Sequence, residues 1–434
     1  MDFRTLPGVD TAKDGTITLT NLTAPACLVG KEGDLTSIDL SIKNGRMTDQ
    51  PGTPVDMQGA MVFPTFIDMH THLDKGHIWT RSPNPDGSFM GALNTVQADR
   101  EARWTADDVR RRMDFSLRCA FAHGTRAIRT HLDSGAPQAG ISWPVFEEMR
   151  SLWADKIALQ AVCLVSIGEV PIDSDDDEHG FRSLADLVAG AGGVLGAVTY
   201  PMPGLRERLH RFFRMAAERW LAVDLHVDET GDPSVATLRT IAETVLETGF
   251  SADVTVGHCC SLAVQPEADA LSTLDLVAEA GLHVVSLPMC NLYLQARKAG
   301  RTPRWRGITL VHEMKARGIN VVFASDNTRD PFYAYGDLDM LEVMREATRI
   351  GHLDHSDNDW TQAFLSSPAR ATGFSAPSLA KGEPADLVIC KARDWTELFA
   401  RPQADRIVLR QGRPIDRSLP DYAELDDLMT DRAD

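Results

Sequence analysis

Four side chains in this 434-residue sequence could together hold a divalent metal ion. His70 and His72 stand in Asp68-Met69-His70-Thr71-His72, after a short apolar run. Residues two apart on an extended strand face the same way, so both imidazoles can turn to one side, where a borderline-soft metal accepts them. An H-x-H pair alone is a weak signal, because a core histidine beside a surface one reads the same. Its context strengthens it. His226 ends Asp224-Leu225-His226, His258 ends Val254-Thr255-Val256-Gly257-His258, and Asp326 follows Phe323-Ala324-Ser325, each where an apolar run stops. Taken singly, His258 reads equally well as a satisfied core histidine and Asp326 as a helix N-cap. Taken together, His70, His72, His226 and Asp326 make a three-nitrogen, one-oxygen set for one divalent ion. Ligand type does not choose between Zn2+, Fe2+ and Mn2+.

Only a particular arrangement of strands can bring such distant residues together. The middle of the chain alternates short apolar runs with longer amphipathic ones, the pattern of repeated βα units and a parallel sheet. Eight runs are expected to be strands: Val62–Asp68, Ala127–Leu132, Leu159–Val165, Gly193–Tyr200, Ala222–His226, Asp253–His258, His283–Leu287 and Asn320–Ala324. Thr105 with Asp108 reads as an N-capping pair for a helix between the first two. The fold class is therefore α/β, a (β/α)8 TIM barrel, and catalytic groups in such barrels gather at the C-terminal strand ends. The termini read as antiparallel sheet, with alternating runs at 16–19 and 37–42, the turn Lys43-Asn44-Gly45, and further runs at 385–390 and 405–410. The simplest organisation joins residues 1–61 and 376–434 in one small composite β-sandwich domain beside a barrel over 62–375.

Composition narrows the partners. Lys and Arg number 44 against 62 Asp and Glu, a net charge of -18, which argues against nucleic acid and anionic membrane because binding to phosphates is dominated by Lys and Arg. No run approaches the roughly 20 apolar residues of a membrane span. The start Met1-Asp2-Phe3-Arg4-Thr5-Leu6-Pro7 lacks the pattern of a secretory signal, so the cytoplasm is the default. The 7 cysteines include no C-x-x-C pair and read as reduced core residues. Cys259 and Cys260 adjoin His258, but neighbours on a strand face opposite ways, so at most one could face a site. The acidic run Asp173–Glu178 reads as a solvated loop.

With these residues in view, the chain resembles the amidohydrolase superfamily. The closer likeness is to the bacterial cytosine deaminase subgroup, through Arg129-Thr130-His131-Leu132-Asp133, Leu225-His226-Val227-Asp228-Glu229, Asn291-Leu292-Tyr293-Leu294-Gln295-Ala296-Arg297 and Arg306-Gly307-Ile308-Thr309. The resemblance implies an enzyme that hydrolyses C–N bonds other than peptide bonds. It also implies one metal ion rather than two, since Thr199-Tyr200-Pro201 at the end of strand four offers no Lys, Glu or Cys bridge. Hydroxide formed on the metal would attack an amidine-like carbon, with His258 orienting it and Asp326 taking the water's proton. Glu229 would protonate a ring nitrogen and then the departing amine. Relatives of this kind are commonly homo-oligomers, an argument by analogy.

The departures bear on the substrate. Asn327 stands where cytosine deaminase has a second Asp, Phe332 where it stacks a Trp on the base, and Ser166 near its pyrimidine-binding Gln. Ser325-Asp326-Asn327 is more similar to s-triazine hydrolases of the N-isopropylammelide type, which lack the Glu kept here as Glu229. Gln295 and Arg297 could recognise ring edges, Phe332 and Trp79 could stack on a planar ring, Lys75 could contact substrate or support the fold, and His131 could line the pocket floor. The favoured reading is a metal-dependent aminohydrolase that deaminates a small planar nitrogen heterocycle, with cytosine-like pyrimidines first. The alternatives are hydrolysis of an N-alkyl or cyclic amide, as in the s-triazine relatives, and a non-catalytic binding barrel.

Overall fold

The computed structural model describes residues 15–172, 180–401 and 405–430. The acidic run and the first seven residues discussed above lie outside them. Among the described residues the chain forms two compact units: residues 15–67, 118–127 and 339–420 in one, 68–117, 128–338 and 421–430 in the other.

The second unit carries the barrel. Its strands are Phe66–Thr71, Thr125–Asp133, Ala158–Leu164, Leu195–Thr199, Val223–Val227, Val254–His258, His283–Ser286 and Asn320–Phe323, the first two of which begin in the other unit. Strands one to three form one sheet and strands four to eight a parallel one. Two seams close the ring. Val162 with Val194 and Ser166 with Val198 join strand three to strand four, and Thr71 with Asp326 joins strand one to the residues after strand eight. Helices such as Ala106–His123, Leu205–Glu218 and Thr237–Thr248 separate the strands, so the alternation in the sequence is a (β/α)8 barrel. At Gly196 on strand four a Cβ would meet the carbonyl oxygens of Cys163 and Asp224 at 2.4 and 2.7 Å, so neighbouring strands approach as only glycine permits.

The other unit holds one eight-stranded sheet contributed by both termini. Ile17–Pro25 pairs antiparallel with Leu35–Lys43, and Met61–Pro64 pairs antiparallel with Leu387–Cys390. Leu19, Leu22, Ile42, Leu387, Ile389 and Leu409 lie in its buried core. The run expected as a single strand over Val62–Asp68 is divided. Met61–Pro64 belongs to this sheet and Phe66–Thr71 to the barrel. Pro64 has no N–H to continue a ladder, and the backbone changes partners there: Thr65 N donates to Asp386 O at 3.1 Å and Phe66 N to Gly124 O at 3.0 Å.

Candidate active site

Asp68 and His70 share one side of the first barrel strand, and His72 follows its end. The Asp68 carboxylate accepts bonds from the Ser325 amide and hydroxyl, and Asp326 N donates to His70 O at 2.9 Å, so strand one is tied to the loop that bears Asp326. The backbone turns left-handed at Asp228 (φ 50°), His258 (φ 70°), Cys259 (φ 50°) and Asp326 (φ 64°). Non-glycine residues in that region cost about 1–3 kcal/mol each and concentrate at functional sites, where they aim side chains a regular strand could not.

Three imidazoles converge. His226 Nε2 lies 3.2 Å from His70 Nε2 and 3.4 Å from His72 Nε2. Asp326 Oδ1 is 3.2 Å from His72 Nε2 and 3.7 Å from His70 Nε2. All four side chains are buried, and neither Asp326 oxygen has a hydrogen-bond partner among the described residues. Burial, reinforced by the neighbouring histidines, holds the three imidazoles well below their usual pKa, so they are neutral with lone pairs available. Burial first, and then Asp330, pushes the Asp326 carboxyl up to about 7. A cluster of neutral nitrogens around a partnerless buried carboxylate satisfies itself with a cation, so the residues present fit a divalent metal. His70 also needs Gly257 beneath it, where a Cβ would come within 2.9 Å of His70 Cε1. His131 brings a fourth ring, its centroid 4.1 Å from that of His70, with Nε2 3.3 Å from Asp224 Oδ1. At the end of strand four, Thr199 spends its hydroxyl on His226 O at 3.0 Å.

Beside this cluster stands the pair Glu229 and His258, with Glu229 Oε1 3.4 Å from His258 Nδ1. Asn291 touches both, its Nδ2 3.2 Å from Glu229 Oε1 and 3.0 Å from His258 Nδ1. Gln295 Nε2 donates to Glu229 O at 3.2 Å. Asn291 lies within and Gln295 follows the short helix Pro288–Leu294, and residues four apart on a helix share a face, so both reach Glu229 from one side. Burial, then the Asp326 charge, pushes the Glu229 carboxyl well above its ordinary value, while burial lowers His258 to about 3. Asp228 does other work: its carboxylate caps the helix Thr237–Thr248, accepting from Thr237 N and Leu238 N at 3.0 Å each.

The expected substrate contacts divide. Lys75, Asn327 and Phe332 gather around Asp330. Asn327 Nδ2 donates to Asp330 Oδ2 at 2.7 Å, Phe332 N donates to Asp330 Oδ1 at 2.8 Å, and Lys75 Nζ lies 5.1 Å from the Phe332 ring centre. Burial works against the Lys75 charge, but Asp133, at 3.6 Å, together with Asp330, Asp74 and Asp326 holds its pKa above the ordinary value. Ser166 and Arg297 are not brought to this group. Ser166 Oγ bonds Tyr200 Oη at 2.8 Å and accepts from Gly168 N at 3.0 Å, whereas Arg297 is exposed, lying over the Tyr293 ring and donating to Tyr293 O. Trp79 is half-buried and its amide donates to Arg329 O. The thiols of Cys259 and Cys260 are buried, which pushes their pKa well up and keeps them from being thiolates. Asn291 and Asp330 were not foreseen as site residues. The spacing of Asn291 from Gln295 was the available signal for the first, and nothing local marks the second.

A (β/α)8 barrel with converging histidines and a carboxylate at its C-terminal strand ends is the architecture of a metal-dependent hydrolase. Residues 160–416 match the amidohydrolase family, and the chain belongs to that family and is a hydrolase acting on C–N bonds other than peptide bonds. It is 55% identical over 423 residues to a pterin deaminase of Rhizobium rhizogenes strain K84, covering 94% of this chain and 95% of that one. It is 25% identical over 384 residues to N-isopropylammelide isopropyl amidohydrolase of Pseudomonas sp. strain ADP, 83% of this chain and 87% of that one. The structure of 5-methylcytosine deaminase from Klebsiella pneumoniae superposes with a TM-score of 0.77 at 24% identity, covering 94% of this chain and 98% of that one, a likeness of fold.

Proposed function

We propose that the protein is an aminohydrolase, dependent on one divalent metal ion, that replaces the exocyclic amino group of a planar 2-amino-4-oxo heterocycle with oxygen, and that its substrate is a pterin. The observation that carries the reading is the convergence of the buried His70, His72 and His226 nitrogens, with the Asp326 carboxylate 3.2 Å from His72 and 3.7 Å from His70 and the acid Glu229 beside His258. The 55% identity to a pterin deaminase over nearly the whole chain supports a pterin over cytosine, as do Asn327, Phe332 and Ser166 where a cytosine site has other residues.

His70, His72, His226 and Asp326 would hold the metal. Bound there, a divalent ion lowers the pKa of water toward neutrality. Asp326 takes a proton from the attacking water and His258 orients that water by a hydrogen bond. Glu229, kept protonated by its burial, gives its proton to the ring nitrogen next to the amino-bearing carbon, which makes that carbon more electrophilic. A C–O bond forms, Glu229 takes the proton of the new hydroxyl and passes it to the amino nitrogen, the C–N bond breaks so that ammonia leaves a ring carbonyl behind, and the proton held by Asp326 restores Glu229. Lys75 and Phe332 bind and face the ring.

The test is ammonia release by metal-replete protein from pterin, cytosine, ammelide and N-isopropylammelide side by side. Release from pterin above the others is expected. Isopropylamine from N-isopropylammelide with no ammonia from pterin would replace this reading with the s-triazine one, which Ser325-Asp326-Asn327 favours.

A further inference from the structure

We infer that Asn291 is a positioning residue that locks the tautomer of His258 and the free oxygen of Glu229 with a single amide group. The inference rests on the deaminase reading of Glu229. One atom of Asn291 lies 3.0 Å from His258 Nδ1 and 3.2 Å from Glu229 Oε1, and an NH2 group has two hydrogens for those two acceptors. The side chain is fully buried, on a helix that follows strand seven, while Glu229 follows strand five and His258 ends strand six.

Two consequences follow from proton counting. A neutral imidazole that accepts at Nδ1 carries its hydrogen on Nε2, and His258 Nε2 is buried with no partner among the described residues. A ring nitrogen of His258 falls within 4.8 Å of metal-binding atoms of His70 and Asp326. His258 is then a donor toward the attacking oxygen and has no lone pair left there, so Asp326 alone receives the water's proton. With Oε1 occupied by the amide, Glu229 carries its proton on Oε2, the oxygen that faces no Asn291 hydrogen. The opposite amide orientation would put Oδ1 against both neighbours and require both to donate, giving His258 the Nδ1–H tautomer and removing its donor from the site.

Asn291→Asp and Asn291→Ala separate these arrangements. Asp has the volume of Asn but only acceptors, so it pulls the His258 hydrogen to Nδ1. Ala merely removes the bond. A space-filling role ranks Asp as the milder change, and a tautomer lock ranks it as the harsher one. We expect both variants to keep wild-type metal content and KM within about threefold. Asn291→Ala should lower kcat by about tenfold or more, and Asn291→Asp by at least a further tenfold. In 15N-histidine NMR of the zinc-loaded protein, His258 should show a protonated Nε2 in the wild type and a protonated Nδ1 in Asn291→Asp. Equal or greater activity in Asn291→Asp than in Asn291→Ala, or an Nδ1–H tautomer in the wild type, would overturn the inference. Full activity in Glu229→Gln would instead refute the deaminase reading, and the NMR result would still decide the tautomer.

Discussion

Burial acts in opposite directions on the groups that matter. It pushes the His70, His72 and His226 imidazoles toward the neutral form that can ligate a metal, and it pushes the Glu229 carboxyl toward the protonated form. The two effects separate by mutation. Glu229→Gln should retain one metal per chain and lower kcat by about two orders of magnitude or more, the usual size of a lost general acid. His226→Ala should lose the metal, which elemental analysis would show directly. At this scale the proposed ligand residues were legible as a group because their types and strand-end positions carry the signal. Asn291 was not, because its role depends on two neighbours from other strands. Arg297 is held at the surface by the carbonyl and ring of Tyr293.

The elements place these groups through close approaches and ties. Gly257→Ala would press a methyl into the His70 ring at 2.9 Å, so metal affinity should fall by about tenfold while the far-UV circular dichroism stays unchanged. The last described segment belongs to the barrel unit through specific contacts. Arg81 donates to Leu428 O at 3.1 Å, Arg111 bonds Asp427, and Tyr422 lies against Phe115 and under Arg329. Removing residues from 421 onward should loosen the stretches after strands one and eight, raising KM more than it lowers kcat. In the other unit Asp339 caps the helix Met340–Gly351 through Leu341 N and pairs with the buried Arg406, which holds its carboxyl well below the usual range against the opposing effect of burial. A depressed carboxylate stabilises the fold above its unfolded pKa near 4 and loses that contribution as pH falls toward its folded pKa. Asp339→Asn should therefore cost about 3 kcal/mol at neutral pH, read by urea unfolding, and the difference from wild type should shrink below about pH 4. Strand existence was legible from the apolar runs. The split at Pro64 was not, because one apolar run serves two sheets in turn.

For the molecule as a whole, the βα alternation was enough to foresee eight parallel strands, since each buried strand needs a covering helix before the next. Closure of the ring depends on long-range bridges such as Thr71 with Asp326, which no local pattern encodes. No helix among the described residues is long and apolar enough to cross a membrane. Because the proposed ion binds the folded chain, its removal should lower the melting temperature, and added metal should restore it in a concentration-dependent way. The central claim is that one metal held by His70, His72, His226 and Asp326 drives deamination of a pterin. The most direct measurement is a titration of metal-free protein with Zn2+, Fe2+ or Mn2+ while ammonia release from pterin is followed. Activity should rise from zero and saturate at one equivalent per chain, with ammonia equal to pterin consumed. Ammonia release by the metal-free protein, or none from the fully loaded one, would contradict that claim.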